Sequence, residues 1–252
     1  MNFLGIVPAR YASSRFPGKP LVNVGGKIMI RRVVEQASKA LQHVVVATDD
    51  QRIYNAVKNF GGNVVMTSVQ HKSGTDRCKE ALDIYEEESG IKFQAVVNIQ
   101  GDEPFIQPEQ LKQLMGCFTD PSTQIATLIK PAENSDELSD PNRPKVVINK
   151  NKQTLYFSHS VIPYFRGDNQ LNWHHRHTYY LHVGLYAYTS VVLRQITKIE
   201  PSSLEMAESL EQLRWLENGY IIKTEITPFI NFGIDTPEDL EKLKSAGYPE
   251  ME

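Results

Sequence analysis

Short apolar runs, each closed by a polar or glycine-rich turn, recur along the first hundred positions. Phe3, Leu4, Ile6 and Val7 form the first, and residues 43–47 (HVVVA), 63–66 and 95–99 follow. Runs that stay apolar at successive positions, rather than alternating, suit strands buried on both faces of a parallel sheet. Pro8 is expected to end the first strand. Between the runs the apolar residues change to a helical spacing. Ile30, Val33, Val34, Ala37 and Leu41 share one face of a helix over residues 28–41. A short helix over 52–60 is stopped by Gly61-Gly62, and another runs from the loop 71–77 to about Glu87. This alternation predicts an α/β fold: a Rossmann-like, mostly parallel central sheet flanked by helices, with right-handed crossovers.

From about Pro131 the pattern loosens. Residues 136–144 are polar with two prolines and read as a loop. Residues 146–148 and 154–157, joined by a polar turn, suggest a hairpin. The histidine-rich stretch 167–178 reads as a mobile segment. Residues 181–188 alternate as a strand, 203–218 as one amphipathic helix stopped by Gly219, and 221–226 as a further strand. A final helix over 236–246 is capped by Thr236, with Pro237 in its first turn.

Composition narrows the class. A chain of 252 residues can bury a sizeable core, and a net charge of −3 with a pI near 6.2 argues against nucleic acid as the main partner. Cys78 and Cys117 make neither a disulfide framework nor a zinc site, and no signal peptide or long apolar span is evident. A cytoplasmic protein is expected.

Charge is unevenly placed. No Asp or Glu precedes Glu35, whereas Arg10, Arg15, Lys19, Lys27, Arg31 and Arg32 do. A basic loop at the C-terminal end of a first strand is where open α/β sheets hold ligands, and guanidinium and ammonium groups suit a polyanion. A solvated basic surface loop fits the charge alone equally well. Neither a P-loop nor a G-x-G-x-x-G fingerprint is present.

The loop resembles the opening motif of sugar-nucleotide pyrophosphorylases and cytidylyltransferases, P-A-R-x-x-S-x-R-x-P-x-K-x-L. Here that is Pro8-Ala9-Arg10, Ser13, Arg15, Pro17, Lys19 and Leu21. Over nearly the whole chain the likeness is to the branch that activates the eight-carbon acid sugar 3-deoxy-manno-octulosonate (Kdo). The resemblance implies a nucleotide-diphospho-sugar transferase type of fold. It also implies a CTP-dependent nucleotidyltransferase that forms CMP-Kdo and pyrophosphate for lipopolysaccharide synthesis, using Mg²⁺ and working as a homodimer. It places nucleotide binding in roughly 1–130 and 220–252. Sugar binding and dimerisation fall in a smaller mixed α+β part, roughly 131–219.

Residue by residue, Gln100-Gly101-Asp102-Glu103-Pro104 matches the family's Q-G-D-E-P, and residues 233–239 match its G-x-D-T-P-E-D. Read alone, Asp102 and Asp235 suit a turn or a helix start as well as a metal. The resemblance pairs them as a magnesium site, with Arg10, Arg15 and Lys19 on the phosphates and Pro8 and Ala9 beside the nucleotide. His71, Ser73, Gly74, Thr75 and Arg77 match H-x-S-G-T-D/E-R, a loop that implies contact with the base through Ser73, Arg77 and backbone groups. Capping by Thr75 is the plainer role. Gln100 would meet the ribose.

For the sugar, His182, Tyr186 and Tyr188 alternate on one strand face, which suits core packing as well as a site. They match the family's H-x-G-x-Y-x-Y. Glu211 lies on one helical row with Ala207 and Trp215, an awkward place for an unpaired carboxylate. Glu211-Gln212 falls in a stretch matching L-E-Q-L-R, which implies contacts to sugar hydroxyls. Arg166, after Ile162-Pro163, is implied for the sugar carboxylate. Two departures bear on that carboxylate. His159 follows Tyr156-Phe157-Ser158 where many relatives have Arg, and Leu181 precedes His182 where relatives have a basic residue. A synthetase for another acidic sugar, such as sialic acid, or a non-catalytic nucleotide sensor would share the nucleotide half.

Overall fold

The first apolar run forms β1 (Phe3–Ala9), whose Leu4, Ile6 and Val7 are wholly buried, as a strand covered on both faces must be. The computed structural model describes residues 1–12, 15–229 and 233–246; Ser13 of the opening motif lies outside them. A small hairpin, β2 (Asn23–Val24) with β3 (Lys27–Ile28), turns on Gly25-Gly26 and leads into α1 (Met29–Ser38). There follow β4 (His43–Thr48), α2 (Gln51–Asn59), β5 (Asn63–Met66), α3 (Gly74–Ser89), β6 (Ala95–Asn98) and α4 (Pro108–Gly116). β1 pairs in parallel with β4 on one side and β6 on the other, and β4 pairs with β5, giving the order β6-β1-β4-β5. The chain therefore runs outward from β1 to β5 and returns to lay β6 on the far side of β1. The C-terminal ends of β1 and β6 lie at that reversal, the place where open α/β sheets hold ligands.

Pro8 does not end β1. Its partner on β4 is Ala47, and Ala9 pairs with Thr48. Alternate residues of a parallel strand bond to opposite neighbours. Ile6 bonds toward β6, accepting from Ile99 N at 2.9 Å, so Pro8 faces that side too. The β6 ladder has ended by then, at Ile6 with Asn98. The missing proline N–H thus falls where pairing has stopped.

Residues 113–230 form a second compact unit, and the first comprises residues 1–112 with the segment from 231 onward. β7 (Ile125–Pro131) pairs antiparallel along its length with residues 180–188, and β11 (Ile222–Ile226) pairs with β7 in parallel, so both strands fall in the second unit and not with the expected 1–130 and 220–252. Between them lie α5 (Ser135–Ser139), β8 (Lys145–Ile148), β9 (Thr154–Ser158), α6 (Trp173–Arg176), β10 (Tyr180–Thr189), α7 (Ser190–Ile196), α8 (Ser203–Glu208) and α9 (Gln212–Glu217). β10 pairs antiparallel with both β7 and β8, and β8 with β9, the expected hairpin.

Three stretches of this unit differ from expectation, the first being residues 136–144, which are not all loop because α5 covers Ser135–Ser139. The stretch 167–178 is not a bare loop: α6 buries Trp173, which stacks on Tyr179 at 6.2 Å within a cluster that includes Leu138. The helix over 203–218 is broken in two by Ser209, which adopts a left-handed conformation at φ 54°. Glu211 consequently stands at the N-cap position of α9, off the helical row with Ala207.

The chain re-enters the first unit as α10 (Pro237–Ala246). Ile234 and Leu240 complete a core cluster with Val24, Met29 and Phe105. The start of α10 is a reciprocal cap: Asp239 N donates to Thr236 Oγ1 at 3.3 Å, and Thr236 N donates to Asp239 Oδ2 at 3.0 Å.

Candidate active site

The loop after β1 is shaped by Gly18, which sits at φ 74° and donates its N–H to Tyr11 O at 2.9 Å. A Cβ there would meet the Tyr11 ring at 3.1 Å in a conformation that already disfavours side chains. The turn delivers Lys19 at the start of a short 3-10 segment, with its side chain 13% exposed. Next to β1, Gly101 lets the loop after β6 approach closely: a Cβ would stand 2.7 Å from Pro8 O. Asp102 follows. Its carbonyl accepts from Ile234 N at 3.0 Å, which holds Asp235 beside it although the two are far apart in sequence.

Four charges meet here. Lys19 Nζ donates to Asp102 Oδ2 at 2.6 Å and to Asp235 Oδ1 at 3.1 Å. Arg15 Nη2, on a largely exposed side chain, donates to the same Asp235 oxygen at 3.1 Å. Two carboxylate oxygens from distant segments converge on one cation. A hard divalent ion such as Mg²⁺ takes one or two carboxylates, with substrate oxygens and water completing its shell, so this donor set fits one. Pro8 and Ala9 end β1 at the same edge, and Gln100 stands half-buried just past β6.

Arg10 donates to the carbonyl of His71, which ties the basic loop to the stretch before α3. Glu80 fixes that stretch in turn, accepting from Ser68 N at 2.8 Å and contacting His71 Nε2 at 2.5 Å. Burial opposes ionisation of Glu80, but the Ser68 amide and the His71 ring outweigh it and hold its carboxyl below the usual range. The cap of α3 is Ser73, not Thr75: Ser73 Oγ accepts from Asp76 N at 3.1 Å. The cap uses an oxygen lone pair and leaves the hydroxyl proton free to be donated elsewhere.

Arg77 is where placement and expectation part. Its side chain has no exposed surface, and its guanidinium donates to Thr67 Oγ1 at 2.5 Å and to Asp49 Oδ2 at 2.6 Å. It clamps α3 to residues just past β4 and β5. A nucleotide on the surface would find this group already enclosed.

In the second unit, His182 and Tyr186 lie on one face of β10 with ring centroids 5.2 Å apart. Tyr186 and Tyr188 stack at 5.9 Å, and both meet Trp215 edge-on. Between Val183 and Tyr186 the register with β7 shifts by a bulge, and Thr127 closes it, donating to Leu185 O at 2.7 Å. With that proton engaged, Thr127 Oγ1 accepts from His182 Nε2 at 3.1 Å. Nδ1 of the neutral ring is then left as an acceptor. Burial pushes the His182 pKa down to about 4, and burial followed by the charge of Glu211 raises that of Tyr186 well above the ordinary phenol. Gln212 is buried, and its amide nitrogen has no hydrogen-bond partner. Arg166 is exposed on the segment after the cis Ile162-Pro163 bond. His159 donates from Nδ1 to Pro141 O, and Leu181 is buried.

Comparison with known proteins gives the family. Residues 4–227 match the family described as cytidylyltransferase. This chain belongs to that family. Among curated relatives, the 3-deoxy-manno-octulosonate cytidylyltransferase of Parabacteroides distasonis is 59% identical over 246 residues, covering 96% of each chain. The protein of that name from Thermodesulfovibrio yellowstonii is 46% identical over 241 residues, covering 94% of each chain. A solved structure of CMP:2-keto-3-deoxy-manno-octonic acid synthetase complexed with CTP superposes with a TM-score of 0.88 at 39% identity, covering 98% of both chains.

Several residues that shape the site were not singled out in the sequence. Asp239, quoted only as the end of the 233–239 motif, accepts from both Asp235 N and Thr236 N and so fixes the backbone at Asp235; the spacing Thr236-x-x-Asp239 is a capping-box signal for that role. Thr127 and Glu80 had no comparable signal, since neither lies in a recognisable motif.

Proposed function

We propose that this chain transfers the cytidylyl group of CTP to Kdo and releases pyrophosphate. The convergence of Asp102 and Asp235 on a single cation, beyond the ends of β1 and β6, carries the reading. The names of the relatives and the CTP complex of the structural neighbour support the two substrates. In the reaction the anomeric hydroxyl of Kdo attacks the α-phosphorus in line with the leaving pyrophosphate. Positioning and charge stabilisation then make up most of the protein's work. Asp102 and Asp235 would hold Mg²⁺, which when bound neutralises charge on the phosphates and polarises the reacting phosphorus. Arg10, Arg15 and Lys19 supply the remaining positive charge. One such pair at about 4 Å contributes roughly 4 kcal/mol of Coulomb energy at an effective dielectric near 20, before desolvation. Pro8, Ala9, Ser73 and Gln100 line the nucleotide in this reading.

His182 Nδ1, Tyr186, Glu211 and the unpartnered amide of Gln212 are assigned to the sugar hydroxyls, with Arg166 for the carboxylate. Mg²⁺ dependence, a homodimer, a cytoplasmic location and a role in lipopolysaccharide synthesis belong to the same proposal. Exposed Leu155, Leu204 and Met206 support a pairing surface on the second unit. Among the described residues no helix is long and apolar enough to cross a membrane. The test is pyrophosphate release on mixing CTP, Mg²⁺ and Kdo. Release with sialic acid but not Kdo would transfer the proposal to the related synthetases. CTP binding without release for any acid sugar would leave a sensor.

A further inference from the structure

We propose that Lys19 is the built-in counter-ion of Asp102 and Asp235, which keeps free divalent metal off these carboxylates until a nucleotide's phosphates draw the lysine away. The inference rests on the assignment of those carboxylates to Mg²⁺. Its grounds are geometric. One ammonium, on a side chain only 13% exposed, bonds both carboxylates, and Arg15 adds a second positive charge on Asp235. Two negative and two positive charges cancel, so the cluster offers little net attraction to a free dication. Such an ion would also have to lie a few ångströms from an ammonium, where like charges repel strongly at low exposure.

The two partners differ in freedom. Asp102 is held by the Ile234 hydrogen bond and Asp235 by the cap of Asp239 on its own N–H. Lys19 reaches them by a flexible four-carbon stem and can swing to another anion without moving its backbone. A triphosphate is that anion. It takes over the ammonium and, in the same event, leaves the carboxylates with uncompensated charge beside its own oxygens. Metal and nucleotide then bind cooperatively, and each must raise the affinity of the other by the same factor.

The test is Mn²⁺ binding to the nucleotide-free protein, followed by the paramagnetic signal of the free ion, in the wild type and in Lys19→Met, Lys19→Arg and Lys19→Met with Asp235→Asn. Circular dichroism checks that each variant is folded. Lys19→Met is expected to bind Mn²⁺ about tenfold or more tightly than the wild type. Lys19→Arg should stay near the wild type, and adding Asp235→Asn to Lys19→Met should remove the gain. If Lys19→Met binds no more tightly while Asp235→Asn still weakens binding, the counter-ion role is overturned and the metal site stands. If Asp235→Asn does not weaken binding in the Lys19→Met protein, the metal assignment itself is wrong, and the inference goes with it.

Discussion

Arg77→Met should behave as a stability variant and not as a nucleotide-binding one. The guanidinium is fully enclosed and bonds Thr67 and Asp49, the latter with a side chain 16% exposed. Removing one partner of a buried pair leaves the other charge without compensation, a loss of about 3–5 kcal/mol. Arg77 Nε is itself buried with no acceptor, and its removal returns about 1 kcal/mol. The net loss is therefore about 2–4 kcal/mol, which for a chain of this length lowers Tm by roughly 5–15 °C. Urea and thermal unfolding measure it, and CTP KM is read well below the new Tm, where it should change less than about threefold. Arg77→Met with Asp49→Leu should recover part of the loss, because the stranded carboxylate is gone. A near-native Tm with a tenfold rise in CTP KM would refute the reasoning and return Arg77 to the nucleotide.

Arg15→Ala should weaken CTP about tenfold and CMP little, because the partners lost are the outer phosphates; equal losses in a binding titration would put the base or ribose there instead. Glu211→Ala should raise the KM for Kdo or lower kcat by about tenfold or more with CTP KM nearly unchanged, since sites that hydrogen-bond hydroxyls discriminate strongly. Damage to Tm alone would make Glu211 structural. For His182, burial depresses the folded pKa to about 4, below the usual 6.5, so the unfolded chain takes up the proton first. Stability is complete above pH 6.5 and falls as pH drops toward 4, by about 1–2 kcal/mol between pH 7.5 and 5 once partial exposure is allowed for. His182→Asn should flatten that slope in urea titrations at the two pH values.

Much of the first unit is legible in the sequence for a definite reason. β1, β4, β5 and β6 are covered on both faces, so their apolar runs are nearly unbroken and stand out without neighbours. β7 carries the same signal in residues 125–129 but was hidden by its position before a change of texture. The break at Ser209 could not be read: no Gly or Pro marks it, and the amphipathic pattern continues across it. Site chemistry divides the same way. Lys19, Asp102 and Asp235 stand in motifs whose spacing survives any fold, whereas Arg77 stands in one too, yet its side chain turns inward. A motif gives position along the chain, and only packing decides which way a long side chain points.

The hydrogen bond from Ile234 to Asp102 has a consequence for the order in which the protein is made. Val24, Met29 and Phe105 leave the ribosome early, but Ile234 and Leu240, which cover them, come after the whole of residues 113–230. At roughly 5–20 residues per second that interval is on the order of ten seconds. Through it the newborn first unit carries an open apolar face, with Asp102 made and Asp235 not yet beside it. A chaperone that recognises exposed apolar surface would find its binding window there, which closes only once the last helix has docked.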